Sequence, residues 1–295
     1  MRLLAFTLAL SFLFTSSAQK EFIFWRNYEV INPATVGLTG KYFVSTSYGR
    51  NTISNVNDVA LVGGRQWEKI GGAFAVSYEH DESEASLYKM STVNFSYAYH
   101  LNFSGENILS FGVNVGRNQT TLNTSRLVFE DQISSLLGIS GGETLDNIDQ
   151  SQYRDNNLDF DFGVALKGNK SLFTLGIGRL NQPSFAVLNN GSSEILPAVF
   201  TVTAERDFGK DEDNWICTPR VLIRRTNGIT YDNIAVEVKR WFFLFGAKYS
   251  TTANAVGAFA GIYLGEKVSL VYMADTHPTL ANSISHFITF SGNIN

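Results

Sequence analysis

Residues 158–166 read Leu-Asp-Phe-Asp-Phe-Gly-Val-Ala-Leu, and the fold prediction follows from this stretch. Large hydrophobic side chains occupy every second position, with carboxylates or very small residues between them. Because the side chains of a strand point alternately to its two faces, one face of this segment is apolar and the other is polar or small. The same alternation returns over 86–101 and 107–119. Repeated alternation of this kind is typical of a transmembrane β-barrel, whose apolar face meets lipid.

Alternation and turn residues divide the chain into about fourteen candidate strands. Most have about the 9–11 residues that a tilted strand needs to cross a bilayer, whereas strands of soluble proteins average about 5–6 residues. We therefore predict an all-β, antiparallel, up-and-down transmembrane barrel. The candidate strands are 41–49, 57–66, 70–80, 86–101, 107–119, 156–167, 170–180, 196–207, 214–225, 229–240, 241–251, 254–264, 266–274 and 284–292.

The connections between these candidates alternate in length. Those after even-numbered strands are short, whereas several after odd-numbered strands are longer, with Thr120–Asp155 and Asn181–Ile195 the longest. Bacterial barrels have short periplasmic turns and long extracellular loops. This predicts that both termini face the periplasm and that Thr120–Asp155 is the main surface loop.

The N-terminus resembles a secretory signal peptide. Arg2 supplies a positive charge, Leu3–Phe14 is apolar, and Ser16–Ala18 forms a small-residue cleavage site. The apolar stretch is shorter than the roughly 20 residues that a membrane-spanning helix needs. We therefore expect a signal peptide over 1–18, cleaved after Ala18, then an N-terminal periplasmic segment over 19–40 and an outer-membrane barrel over 41–295.

The composition argues against some partners and some ways of stabilising the fold. A formal net charge of −4 argues against a nucleic-acid partner, which would need a basic surface. Cys217 is the one cysteine of the sequence, so an exported chain has no internal disulfide to stabilise it. Pro219 lies inside a candidate strand but cannot donate a ladder hydrogen bond. Either the ladder is interrupted there or the strand begins after it.

Residues with catalytic or metal-binding chemistry are scattered. Their spacing forms no catalytic constellation and no short metal-ligand motif, so we predict no catalytic residue, no cofactor, no metal site and no enzymatic activity. The acidic groups suit solvated loops better than calcium, and Gly176-Ile177-Gly178 is interpreted as close packing on the lumen side. The residues weighed are His80, His100, His277, His286, the run Asp81-Glu82-Ser83-Glu84, and the loop acids Glu143, Asp146, Asp149 and Asp155.

Several charged residues fall on the polar face of their strands. They are either the lining of a polar pore or a set of ion pairs and hydrogen bonds that fills and rigidifies the lumen, and we favour the second interpretation. The residues are Glu79, Asp159, Asp161, Arg220, Arg224, Glu237 and Lys239.

The order of several short motifs resembles a known family. The spacing Tyr28-x-x-Ile31-Asn32-Pro33-Ala34-x-x-Gly37 is similar to the opening of the PorP/SprF family of type IX secretion outer-membrane proteins. The resemblance covers almost the whole mature chain. Further matches are Gly71–Phe74, Tyr97–Leu101, Asp161–Val164, Pro219–Ile223, Phe245–Tyr249, Gly261–Leu264 and Ser269–Tyr272.

The resemblance implies a non-enzymatic barrel of the type IX secretion and gliding apparatus. Such a barrel would sit in the outer membrane and help secrete or anchor a surface protein, such as an adhesin with a matching C-terminal domain. Its loops, chiefly Thr120–Asp155, would hold the secreted partner, and its short turns or Gln19–Leu38 would contact periplasmic secretion components. The alternative is a porin or a hydrophobic-substrate transporter, since Asn32-Pro33 is loosely similar to the opening of fatty-acid transporters.

Overall fold

The computed structural model describes most of the chain after the N-terminal region. The described residues are 26–51, 56–83, 88–123, 133–134, 138–139, 152–186, 193–209, 215–252, 254–265, 268–277 and 283–294. The expected signal peptide and most of the Thr120–Asp155 loop lie outside them. Among the residues described, no helix is long and apolar enough to cross a membrane.

Fourteen strands form a closed antiparallel barrel. Two short two-stranded hairpins, β6–β7 and β10–β11, lie in the connections outside it. Among the described residues there are also one helical turn, α1 (Tyr28–Ile31), and two 3-10 turns (Pro33–Thr35 and Glu68–Ile70). The strands are β1 Tyr42–Asn51, β2 Val56–Trp67, β3 Gly72–Ser83, β4 Tyr88–Ser104, β5 Asn107–Asn123, β6 Ile133–Ser134, β7 Gly138–Ile139, β8 Gln152–Lys167, β9 Ser171–Gly178, β10 Ser184–Ala186, β11 Ser193–Ile195, β12 Val199–Arg206, β13 Trp215–Thr226, β14 Ile229–Arg240, β15 Phe243–Ser250, β16 Ala255–Leu264, β17 Val268–His277 and β18 Ser283–Ile294.

The first and last strands close the barrel. β1 pairs with β18 from Tyr42 opposite Ile294 to Asn51 opposite Ser285. On the inner side of this seam the Ser47 and Thr289 hydroxyls are 2.9 Å apart and hydrogen bonded. Closure is required because an unpaired backbone group costs several kcal/mol in hydrocarbon, so a sheet edge cannot face lipid.

The two faces of the wall follow the alternation in the sequence. Leu158, Phe160 and Phe162 point outward and are exposed, whereas Asp159 points inward and is buried. β1 alternates without exception between exposed and buried residues. The fold class predicted from the sequence is therefore confirmed, and each candidate strand corresponds to one barrel strand.

Pro219 lies inside β13, where it is opposite Val236 of β14. On its other side the ladder with β12 ends at the pair Glu205–Arg220 and resumes at a single bridge between Phe208 and Cys217. The missing donor thus falls in a gap of the ladder. Of the two outcomes expected from the sequence, the interruption is the one observed.

The two ends of the barrel differ. The connections 68–71, 105–106, 168–170, 207–214, 241–242 and 265–267 lie at one end, together with the start of β1 and the end of β18. The long connections after β5 and β9 lie at the other. The rule that periplasmic turns are short predicts that the short-turn rim faces the periplasm.

Candidate functional site: a plugged barrel lumen

The segment before β1 lies inside the barrel. Residues 26–38, here called the lumen plug, contact the inner faces of strands on opposite sides of the wall, including β1, β5, β9, β12 and β14. From Asn32 to Leu38 every residue is buried. The sequence suggested a periplasmic location for 19–40; the described part of that segment is instead enclosed by the barrel, near its short-turn end.

The Asn-Pro-Ala motif forms the compact centre of the plug. The Asn32 side-chain Oδ1 accepts a hydrogen bond of 2.9 Å from the Ala34 backbone N–H, so Asn32 caps the 3-10 turn. Pro33 occupies the first position of that turn, where its fixed φ and missing N–H cost nothing. The motif therefore folds locally into a turn small enough to fit inside the lumen.

Three glycines on neighbouring strands receive this turn. Gly112 of β5 is opposite Gly163 of β8, which is opposite Gly176 of β9, so the three form a row across the inner wall. A Cβ atom on Gly112 would lie 2.1 Å from the Ala34 nitrogen, and one on Gly163 would lie 1.8 Å from Asn32 Oδ1. The interpretation of Gly176 as lumen-side packing is confirmed, because a Cβ atom on Gly176 would lie only 3.3 Å from Asn32 Nδ2.

Two hydrogen bonds hold the turn on this glycine row. The Asn32 side-chain amide donates to the Leu175 carbonyl at 2.8 Å, and the Ser110 hydroxyl donates to the Ala34 carbonyl at 2.6 Å. Two segments through which the chain resembles the family, Asn32–Ala34 and Asp161–Val164, thus meet in space. The sequence placed both on the chain but did not show that they touch.

A buried charge network holds the start of the plug. Arg26 pairs with Glu237 of β14, and the Tyr28 hydroxyl donates to Glu205 of β12 at 2.8 Å. Arg220 of β13 bridges the two carboxylates, with nitrogen–oxygen distances of 2.8 Å to Glu205 and 3.1 Å to Glu237. Because acids and bases alternate, each buried charge has an opposite neighbour, as low-dielectric burial requires.

Glu29, in α1, is the buried acid of the plug itself. It accepts a hydrogen bond of 3.1 Å from the Thr39 hydroxyl. Loss of hydration on burial raises the pKa of Glu29 to about 7, and the negative Glu205 adds to that rise. The charge of Glu29 therefore changes near neutral pH.

Inward side chains also occupy the lumen beyond the plug. Phe287, Phe259 and Leu244 point inward and pack in one buried apolar cluster. Two of these rings cover a glycine directly across the strand pair, Phe287 over Gly49 and Phe259 over Gly246. Nearer the long-loop end, Lys248 and Asp275 form a fully buried ion pair of 3.1 Å.

The inward charges predicted from the sequence lie inside as expected, and several take part in pairs. Arg220 and Glu237 belong to the plug network, while Asp161 accepts hydrogen bonds from Asn114 and from the Arg179 backbone. Lys239 lies 4.4 Å from the Tyr263 ring. Glu79 and Asp159 are buried, and Arg224 is partly buried.

The residues weighed for metal or catalytic chemistry do not converge in the described part of the chain. Asp81 faces inward, whereas Glu82 faces outward and pairs with Lys89 at 2.7 Å. His80 and His100 each bond a serine hydroxyl, and His286 bonds Tyr272. No set of three or more ligating side chains occurs among the residues described. Glu84, Glu143, Asp146, Asp149 and the His277 side chain lie outside them.

Comparison with known proteins decides the family. The sequence profile described as "Type IX secretion system membrane protein PorP/SprF" matches residues 15–291. The chain belongs to this family. The PorP/SprF assignment and the fold together make it an outer-membrane barrel. No curated protein matches the chain.

Solved structures with the same fold are distant in sequence. Omp33 of Acinetobacter baumannii is 8% identical, with 88% of this chain and 100% of that chain covered and a TM-score of 0.51. The Ralstonia pickettii toluene transporter TbuX is 10% identical, with 90% of this chain and 93% of that chain covered, and it also has a TM-score of 0.51. The TodX deltaS2S3 mutant, a monoaromatic hydrocarbon channel, is 10% identical, with 91% of this chain and 94% of that chain covered and a TM-score of 0.52. At these identities the similarity of the PorP/SprF chain to the three barrels is one of fold alone.

Proposed function

We propose that this PorP/SprF protein is a non-conducting docking barrel of the type IX secretion apparatus, which helps to secrete or anchor a partner surface protein such as an adhesin. The observation that carries the proposal is the lumen plug, which is held to opposite walls of the barrel by the Asn27–Ser47 hydrogen bond on β1 and the Tyr28–Glu205 hydrogen bond on β12. A pathway for solutes would need this space.

The filled interior leaves the two rims as surfaces for partners. The long-loop rim carries the Thr120–Asp155 connection, and a secreted adhesin or its C-terminal domain would bind there. The short-turn rim would contact periplasmic secretion components. In this proposal the barrel supplies position and rigidity, and the buried network of the plug contributes to both.

The competing function is transport by a porin or a hydrophobic-substrate channel. It requires the plug to leave the lumen or a path to open beside it. Leaving would separate Arg26 from Glu237 and Tyr28 from Glu205, which are buried polar contacts whose loss is costly. That cost favours the docking function over transport.

A deletion strain tests the docking function. We expect loss of one surface protein, or a small set of them, from the surface proteome, with general secretion unchanged. The complementing variant replaces residues 126–149 with a Gly/Ser linker of the same length, which keeps the pairing of the barrel strands β5 and β8 but removes the β6–β7 hairpin and the loop chemistry. It should restore the barrel to the membrane and fail to restore the surface protein.

Planar-bilayer recordings of the purified protein provide the second measurement. A docking barrel is electrically silent, whereas steady single-channel conductance supports transport. Altered solute uptake in the deletion strain, with every surface and secreted protein unchanged, would contradict the docking function.

A further inference from the structure

The outward face of the short-turn rim carries an arginine held by two tryptophans. The Arg240 guanidinium carbon lies 4.5 Å from the centre of the Trp215 ring and 4.5 Å from the centre of the Trp241 ring. Trp215 is directly across the strand pair from Arg240. Stacking on aromatic faces fixes a guanidinium while leaving its N–H groups free to bind an oxyanion.

The turn that supplies one of these rings is strained. Trp241 and Phe242 form the two-residue connection between β14 and β15, and Trp241 has a φ of +54°. A two-residue hairpin turn that needs positive φ at its first position normally has glycine there. A large side chain in this conformation is strained, because its Cβ crowds the following carbonyl oxygen. The turn therefore keeps Trp241 at a cost in stability, as functional positions often do.

The position of Arg240 corresponds to the headgroup layer of the membrane. Its outward neighbours further along the wall, Val236 and Phe245, are apolar and exposed to lipid. Arg240 is the last residue of β14, at the periplasmic rim. An arginine at this boundary lies at the depth of the lipid phosphates, which attract basic residues.

Within the described part of the chain, the salt bridges do not include Arg240. A second outward arginine, Arg206 of β12, stacks on Phe208 at 5.4 Å, and it too is absent from those pairs. The rim of β12–β14 thus presents two guanidinium groups on aromatic supports. Charge complementarity favours an anionic occupant.

We propose that Arg240, held between Trp215 and Trp241, binds the phosphate group of a membrane phospholipid. The indole rings would pack beside the upper acyl and glycerol atoms, and the guanidinium would donate to the phosphate oxygens. Lipid and free phosphate share this chemistry, so the test separates them.

The test compares lipid binding by purified full-length variants. Native mass spectrometry in detergent would measure the binding of added phosphatidylglycerol, with diacylglycerol of the same chains and inorganic phosphate as separate probes. We expect Arg240→Gln to bind phosphatidylglycerol about tenfold more weakly, because the variant loses the charge-assisted hydrogen bonds that the held guanidinium donates to the phosphate. Diacylglycerol should bind weakly to both proteins.

The matched control is Arg65→Gln. Arg65 lies on the same rim and the same outward face, but it stacks on one ring only, Tyr42, at 5.1 Å. This variant should bind phosphatidylglycerol like the wild type. A heat-modifiability gel verifies that each variant is folded.

Trp241→Gly separates binding from folding. Glycine relieves the positive φ, so this barrel should be as stable as the wild type or more stable, yet bind phosphatidylglycerol more weakly. Equal phosphatidylglycerol binding by wild type and Arg240→Gln overturns the site. If diacylglycerol binds the wild type as strongly as phosphatidylglycerol does, the site is an apolar surface and not a phosphate site. If inorganic phosphate displaces the lipid, the site binds a free anion instead.

Discussion

Single residues of the inner wall decide whether the lumen plug fits. Gly112, Gly163 and Gly176 are small positions in the alternating pattern, and the sequence shows this for each separately. Their alignment in one row depends on the strand register, which sequence alone does not give. The row binds the turn that contains Asn32, and Asn32 lies 143 residues before its hydrogen-bond partner Leu175 in the sequence. The residue types were predictable and their meeting was not.

Gly163→Ala tests the glycine row. The new methyl group would lie 1.8 Å from Asn32 Oδ1, so Asn32 must move and lose its cap on Ala34. Overpacking of this kind costs about 1–3 kcal/mol. Urea unfolding of the reconstituted barrel measures it. The control is Gly63→Ala, whose methyl group would meet nothing nearer than the Phe43 carbonyl at 3.8 Å. Equal unfolding midpoints for the two variants would contradict the fit described here.

Arg220→Ala tests the charge network. It leaves Glu205 and Glu237 buried with fewer opposite charges, and breaking a buried pair costs about 3–5 kcal/mol. We expect the lower part of that range, because Arg26 still pairs with Glu237. Lys41→Ala removes the exposed pair with Glu68 and should cost no more than about 1 kcal/mol. Chemical denaturation of the two variants side by side gives the comparison.

At the scale of elements, the strands were predictable and the plug was not. The alternation in the sequence indicates which residues face lipid. It predicted the strands because the side chains that face hydrocarbon are apolar along each strand. The plug has no such pattern: α1 and the following turn are only a few residues long, and the hydrogen bonds that hold them to the wall come from strands distant in sequence. A usable signal was present, since a capped Asn-Pro-Ala turn precedes three strands that carry inward glycines.

The plug should respond to pH through Glu29. Its pKa is about 7 when buried, against 4.5 for the free side chain, so the buried state prefers the protonated acid. The protonated Glu29 contributes its full stabilisation of the plug inside the lumen below about pH 4.5. This stabilisation falls as pH rises and is lost once pH passes about 7. Hydrogen-exchange protection of residues 28–38 should therefore decrease between pH 5 and pH 8.

Glu29→Gln is the control for this pH effect. The amide is nearly the same size and does not titrate in this range, so its protection factors should stay constant. An equally large decrease in Glu29→Gln would assign the effect to another group. Protection factors of the wild type that do not change with pH would contradict a role of Glu29 in holding the plug.

For the whole molecule, the interior of the barrel resembles the core of a soluble domain. Phe287 is 2% exposed and its ring lies over Gly49, while its neighbour Ile288 faces lipid. Stability should therefore depend on inward apolar residues in the way that it does in a soluble core. The outer face contributes less, because lipid chains fill any space left there.

Phe287→Ala measures this dependence. Removing a buried phenylalanine costs about 3–5 kcal/mol, whereas Ile288→Ala should cost clearly less. The measurement is the temperature at which the folded band is lost on a heat-modifiability gel. A greater loss for Ile288→Ala would mean that the interior is not packed as described.

The β1–β18 seam has a consequence for biogenesis. The plug directly precedes β1, and its partners lie on β5, β8 and β9, whereas β18 is synthesised after all of these strands. An insertion machinery that holds β1 and β18 apart until residues 26–38 lie against the middle strands would give this arrangement. Formation of the final strand pair then encloses that segment.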